Sequence, residues 1–219
     1  MTVLAAESLA EKIADYIARL IIDGKLKSGQ RIQESWVVEE LEVSRGPVRE
    51  ALLLLESRHL VTILPRRGAI VTELTESRIH NLYDMYVVLL TMLATLVAKN
   101  WTDKDKDPLL RQAMELQQIA ATRPATEFMY EAFNLMSTVY PIAKNEYLAQ
   151  TLEALRPAVH RIYALTLRHT PGEANVAKSF FGELVTVVLT RDIPRIPEIC
   201  ESYGKRQRVL VIEALKKES

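Results

Sequence analysis

The sequence predicts a mainly α-helical protein: three helices and a β-hairpin at the N-terminal end, then an all-helical body. Three observations carry that prediction. Apolar residues recur at helical spacing through most of the 219 residues. The strand signal is concentrated in "LVTILPRRGAIVT", where two β-branched runs flank a Pro-Arg-Arg-Gly turn. Beyond Thr75 strand signals largely vanish, and breaks such as "HTPGEAN" and "RDIPRIP" divide the chain into helix-length segments.

From Leu4 to Ile22, residues Leu9, Ile13, Tyr16, Leu20 and Ile21 keep helical spacing, and Gly24 supplies a stop. A short helix fits Glu34–Leu41, and a third begins within "EVSRGPVREAL" and runs to about Arg58. The hairpin strands are Val61–Leu64 and Ala69–Thr72. Thr75 can cap a long helix that reaches Asn100, and "TDKDKDP" reads as a polar loop. Further helices are expected near Leu109–Ala121, Ala125–Lys144, Glu146–Arg168, Asn175–Thr190 and Pro197–Lys217, with Pro141 and Pro157 kinking theirs. The expected division is a head over residues 1–74, a link at 75–80 that opens the first body helix, and a body over 81–219.

Composition narrows the function. With 48% hydrophobic residues and zero net charge, the chain is neither disordered nor a broadly basic nucleic-acid coat. Any nucleic-acid site must then be a local patch. Cys200 is the single cysteine, which excludes an internal disulfide and a cysteine-rich zinc site. The start lacks the basic n-region of a signal peptide. The most apolar run, Met85–Ala98, is shorter than the ~20 residues of a membrane span. A soluble, cytoplasmic protein with no membrane partner is expected. His59, His80, His160 and His169 have neither metal-chelating nor triad-like spacing, and there is no phosphate-binding glycine loop, nucleophile elbow or HExxH. No catalysis and no cofactor are expected.

The third helix carries the sharpest signal. Ser44 suits the N-cap, where its hydroxyl can take a free backbone N–H, and Pro47 lies in the first turn, where its missing donor costs little. Val48, Ala51, Leu52 and Leu55 form a core stripe. Arg45 and Arg49 stand one turn apart beside Gly46, giving a cationic and sterically open helix start. On their own the two arginines are as well read as solvated charges as groups that reach guanine edges or phosphates. The context decides between them: helix, short helix, helix, then a hairpin tipped by Arg66 and Arg67 is the order of a winged helix-turn-helix. Between Val43 and Gly68, five arginines stand against two glutamates, a local excess of positive charge in a neutral chain.

"EELEVSRGPVREALLLLESRHLVTILPRRGAIV" resembles the DNA-binding head of the GntR family of bacterial transcriptional regulators, and the match extends over about Leu9–Val71. The helical remainder is similar to the FadR branch of that family, whose body binds effectors and dimerises. The resemblance gives Ser44, Arg45, Gly46, Pro47 and Arg49 recognition-helix positions, and Arg66, Arg67 and Gly68 wing positions. Glu42 stands where the family has a turn glycine, and Ser35 where some relatives carry a DNA-contacting arginine.

Many relatives in that branch hold a metal with one Asp and three His. Those positions fall at Tyr130, Asn134, Phe181 and Tyr203, of which only Asn134 keeps a ligand atom, and Tyr86 and Leu90 replace an arginine and a glutamate. No metal is therefore expected. The aromatic residues either fill the former cavity or line an apolar effector pocket. Arg156 and His160, with Tyr163, flank a core stripe and either anchor an effector's acid group or form a solvated edge. The reading that follows is a DNA-binding regulator, in all expectation a repressor, that binds a pseudo-palindromic double-stranded operator as a homodimer. Its effector pocket would comprise Tyr86, Tyr130, Asn134, Arg156, His160, Phe181 and Tyr203, and would take a fatty acid or acyl-CoA type ligand. The alternatives are a regulator with a filled pocket and a non-enzymatic helical interaction protein.

Overall fold

A computed structural model describes residues 8–65, 67–170 and 172–218. Its elements are helices α1 (Leu9–Ile22), α2 (Glu34–Leu41), α3 (Arg45–Ser57), α4 (Glu76–Asn100), α5 (Asp103–Thr122), α6 (Ala125–Ala143), α7 (Glu146–His169), α8 (Glu173–Leu189) and α9 (Arg195–Glu218), with strands β1 (Arg31–Ile32), β2 (Val61–Leu64) and β3 (Gly68–Val71). The chain divides into two compact units. The first is residues 1–74 with Ala154–Arg161; the second is Thr75–Glu153 with Ile162–Ser219.

In the first unit, Ser8 opens α1 with a capping box: its hydroxyl accepts from the Glu11 N–H at 3.1 Å while the Glu11 carboxylate accepts from the Ser8 N–H at 2.6 Å. The apolar stripe of α1 then buries Ile13, Ile17 and Ile21 against the Val48–Leu52–Leu55 stripe of α3. Between α2 and α3, Glu42 adopts the left-handed conformation (φ 52°, ψ 42°) where the resemblance implied a glycine. A side chain there costs about 1 kcal/mol. The expected hairpin forms in the register Val61↔Val71 to Leu64↔Gly68. It gains a third strand that the sequence reading did not include: β1 pairs antiparallel with β3 through Arg31↔Ile70 and Ile32↔Ala69, giving the order β1-β3-β2. Two residues are too short for a period to register, and Ile32 joins the sheet because its side chain belongs to the core.

In the second unit, Thr75 caps α4, accepting from the Arg78 N–H at 3.2 Å. The polar loop expected at "TDKDKDP" is instead the first turns of α5. The Asp105 carboxylate accepts from both the N–H and the hydroxyl of Thr102 at 2.8 Å, and these bonds hold its pKa below the usual carboxylate range. Acids in a first turn also complement the helix dipole, and α5 continues through Pro108. Helix α4, at 25 residues, is long and apolar enough to cross a membrane by length and composition, contrary to the shorter span expected. One face of it has another use, burying Tyr83, Tyr86, Leu90, Leu93 and Val97, and α4 packs on α6, α8 and α9.

Candidate nucleic-acid interface and effector cavity

The first turn of α3 is exposed to solvent while the stripe that follows it is buried in the core. Val48, Ala51 and Leu55 are fully buried, whereas Ser44, Arg45, Gly46 and Arg49 are exposed and Pro47 is half-buried. A β-carbon on Gly46 would meet nothing within 4 Å, so the helix start is open. Ser44 occupies the N-cap with extended backbone (φ −78°, ψ 162°), but its hydroxyl makes no capping bond, contrary to expectation. That hydroxyl is left to solvent. The arginines of the patch divide into two kinds. Arg58 turns inward and pairs with Asp15 of α1 at 2.6 Å, so it serves the fold. Arg45 and Arg67 are exposed, and Arg49 is exposed while its Nε donates to the Glu34 carboxylate at 2.9 Å. Arg66 lies outside the described residues.

The wing turn is fixed from the other side of the sheet. Gly68 takes φ +81°, and Arg31 on β1 donates from Nε to the carbonyl of Arg67 at 2.9 Å. Sequence reading missed both Arg31 and Glu34. Each acts through a partner 15 to 36 residues away, and no local period announces such a pair.

The second unit holds a partly open cavity of about 70 Å³ lined by apolar side chains, among them Leu90, Leu93, Leu109, Met136, Phe181 and Val188. Of the residues expected to form a pocket, Phe181 lines it; Tyr86 does not, although its hydroxyl donates at 3.4 Å to the sulfur of Met136, which does. Tyr203 is packed away in an aromatic stack, 3.8 Å from Phe180 between ring centres and nearly parallel to it; burial raises its hydroxyl's pKa. Tyr130 is half-buried and does not line the cavity. Asn134 does not either: it is exposed on α6, where its amide donates to Glu131 at 3.3 Å. The helical period explains this, since Ala132, Phe133 and Met136 hold the inward positions of α6.

Arg156 and His160 fall within Ala154–Arg161, the stretch of α7 grouped with the first unit. His160 is buried, and burial together with the Arg156 charge lowers its pKa to about 3. A neutral imidazole offers no charge to an acid group, so the anchoring role considered for it is weakened. A polar cluster in the second unit had no sequence signal at all. The Glu173 carboxylate is buried and accepts from Arg206 at 2.8 Å and from the Gln207 amide, joining the starts of α8 and α9's middle. Among the described residues no group of three or more His, Cys, Asp or Glu converges as a metal site.

Residues 9–71 match the model of the bacterial regulatory proteins of the gntR family, and residues 81–202 match the FCD domain. The chain belongs to the GntR family. It is 28% identical over 169 residues to the gluconate operon transcriptional repressor of Bacillus subtilis, an overlap of 75% of this chain and 68% of that one. It is 25% identical to the transcriptional repressor GlaR of Escherichia coli, over 84% of this chain and 86% of that protein. The fold is similar to that of Escherichia coli McbR/YncC, with a TM-score of 0.73 and 20% identity over 95% of this chain and 98% of the other. This GntR-family chain is accordingly a DNA-binding transcriptional regulator with an effector-binding domain, and not an enzyme.

Proposed function

We propose that this GntR-family regulator is a cytoplasmic repressor that binds a pseudo-palindromic operator as a homodimer and is released by a lipophilic effector of the fatty-acid or acyl-CoA type. The wholly apolar cavity between α4, α5, α6 and α8 carries the effector part of this reading. A small polar acid entering it would lose its hydration to a wall of hydrocarbon with no compensating partner. An alkyl chain gains about 0.8 kcal/mol for each CH₂ buried, and a whole chain enters only as the surrounding helices part to widen the cavity of about 70 Å³. Repression is supported by the printed names of two relatives, both of them repressors.

The effector reading is tested by thermal shift with medium-chain fatty acids and acyl-CoA against small hydroxy acids, alongside elemental analysis. At a ligand concentration 100-fold above Kd, the melting temperature should rise by about 5–10 °C with the acyl compounds. Ala132→Leu, which fills the cavity from α6, should abolish that shift while the protein still melts cooperatively. Stoichiometric metal, or stabilisation by small acids alone, would overturn the effector class.

The dimer reading is supported by the outer face of α4. Met85, Val88 and Met92 recur at helical spacing there and are 55%, 65% and 43% exposed. A neighbouring set of exposed apolar side chains on one helix is costly unless a partner covers it. Light scattering at micromolar concentration should give twice the 24.9 kDa of one chain, and Val88→Asp should halve it. A single-chain mass for the unsubstituted protein would remove the dimer.

A further inference from the structure

We infer that Glu34 is a positioning residue that sets how Arg49 reads DNA, so that base selectivity depends on a side chain that never touches a base. The inference rests on the reading of α3 as the recognition helix and of Arg49 as a base-contacting residue.

The geometry is specific about which edge of the guanidinium is used. Arg49 Nε donates to Glu34 Oε2 at 2.9 Å. An arginine offers two paired faces, Nε with one Nη along its side and the two Nη groups at its end. With Nε engaged, the end-on pair is the one left for an outside acceptor. That pair matches guanine, which presents O6 and N7 side by side in the major groove. The two partners differ in exposure: the Arg49 side chain is 65% exposed and the Glu34 side chain 27%. Glu34 also begins α2, where the helix dipole favours a carboxylate. The more buried carboxylate, at the start of α2, therefore holds a long, exposed cation.

Such an exposed pair contributes little to folding stability, so stability is a poor account of it. Its effect falls on binding. An unrestrained arginine is free to swing to the nearest phosphate, a contact that carries no sequence information. A restrained one has lost rotamer freedom before binding, which lowers the entropic cost of the directional contact. The Glu34 charge adds discrimination of another kind, because it opposes non-specific approach to the phosphate backbone. Removing it should loosen both controls at once, with opposite effects on the two kinds of DNA.

The test uses the full-length protein and a duplex selected by it from a randomised library, with the unselected random-sequence duplex pool as the competitor. Glu34→Gln should lower the affinity ratio of selected to random DNA by roughly 5- to 30-fold, while affinity for random DNA itself rises. Glu34→Asp keeps the charge but draws the carboxylate back by one methylene. It should lose selectivity without the gain on random DNA. A substitution of guanine by 7-deazaguanine at each selected position removes one acceptor, and its cost should shrink in Glu34→Gln if Arg49 reads that base. Arg49→Ala separates the two ideas. If Arg49→Ala lowers the ratio and Glu34→Gln leaves it unchanged, Glu34 has no positioning role. If Arg49→Ala also leaves the ratio unchanged, Arg49 reads no base, and the recognition role falls together with the inference.

Discussion

Raising salt from about 50 to about 200 mM should weaken operator binding by roughly 10³- to 10⁵-fold. Each head exposes Arg45, Arg49 and Arg67, and Arg31 stands beside the wing turn. Two heads on one operator then bring about eight guanidinium charges against the duplex, and each displaces condensed counterions whether it ends on a base edge or a phosphate, which is the range that gives so steep a slope. The net charge of the chain is zero, so long-range attraction by the whole molecule cannot produce this dependence. It must come from the patch. Fluorescence anisotropy across a salt series measures the slope directly. Arg67→Ala should reduce it by about one for each head and weaken all sequences alike, as a phosphate contact would. Arg45→Ala should instead cost about 1–3 kcal/mol on the operator and flatten sequence preference, as loss of a base contact would. A flat salt response would show that these arginines do not meet DNA.

What could be read from the sequence follows from the range of the interactions involved. The stripe Val48–Ala51–Leu52–Leu55 is a local period, and all four residues are buried. The arginines beside that stripe were equally legible, as were the strands of the hairpin. Chain segments shorter than one period were not. Strand β1 spans two residues, and only its pairing with β3 makes it a strand. The start of α5 was missed for another reason. A run of aspartates and lysines carries no apolar stripe, so its helix is set by the Thr102–Asp105 cap and not by burial. In the body, positions inferred by resemblance to metal-binding relatives met a changed interior. Phe181 lines the cavity, but Tyr203 stacks on Phe180 and Asn134 faces solvent. Resemblance transfers the place of a residue along its helix, while the direction of its side chain depends on what now fills the space. The pairs Arg49–Glu34 and Arg31–Arg67 are long-range in sequence, and a single sequence gives no means to match them.

Gly68→Ala should be the most damaging single methyl group that the head can receive. Two costs coincide at this position. The backbone has φ +81°, which a β-carbon disfavours by about 1–2 kcal/mol. The added carbon would also fall on the carbonyl oxygen of Ile32, far inside van der Waals contact. That oxygen belongs to backbone and cannot swing aside as a flexible side chain would. Nor can β1 retreat as a whole. Ile32 is 1% exposed within the head core and is paired to Ala69, so moving it opens the core and breaks the ladder together. Overpacking of this kind adds about 1–3 kcal/mol, giving roughly 2–5 kcal/mol in total. A domain with about 5–15 kcal/mol of stability would lose much of its margin. The unfolding midpoint should therefore drop, and binding should fall on operator and random DNA alike, because Arg67 lies in the wing turn immediately before this residue. Gly46→Ala is the control. Its β-carbon meets nothing within 4 Å, and alanine is the better helix former, so the fold should be unchanged or slightly stabilised. Equal midpoints for Gly68→Ala and the unsubstituted protein would mean that the wing turn is not built against β1 in the way the sheet register requires.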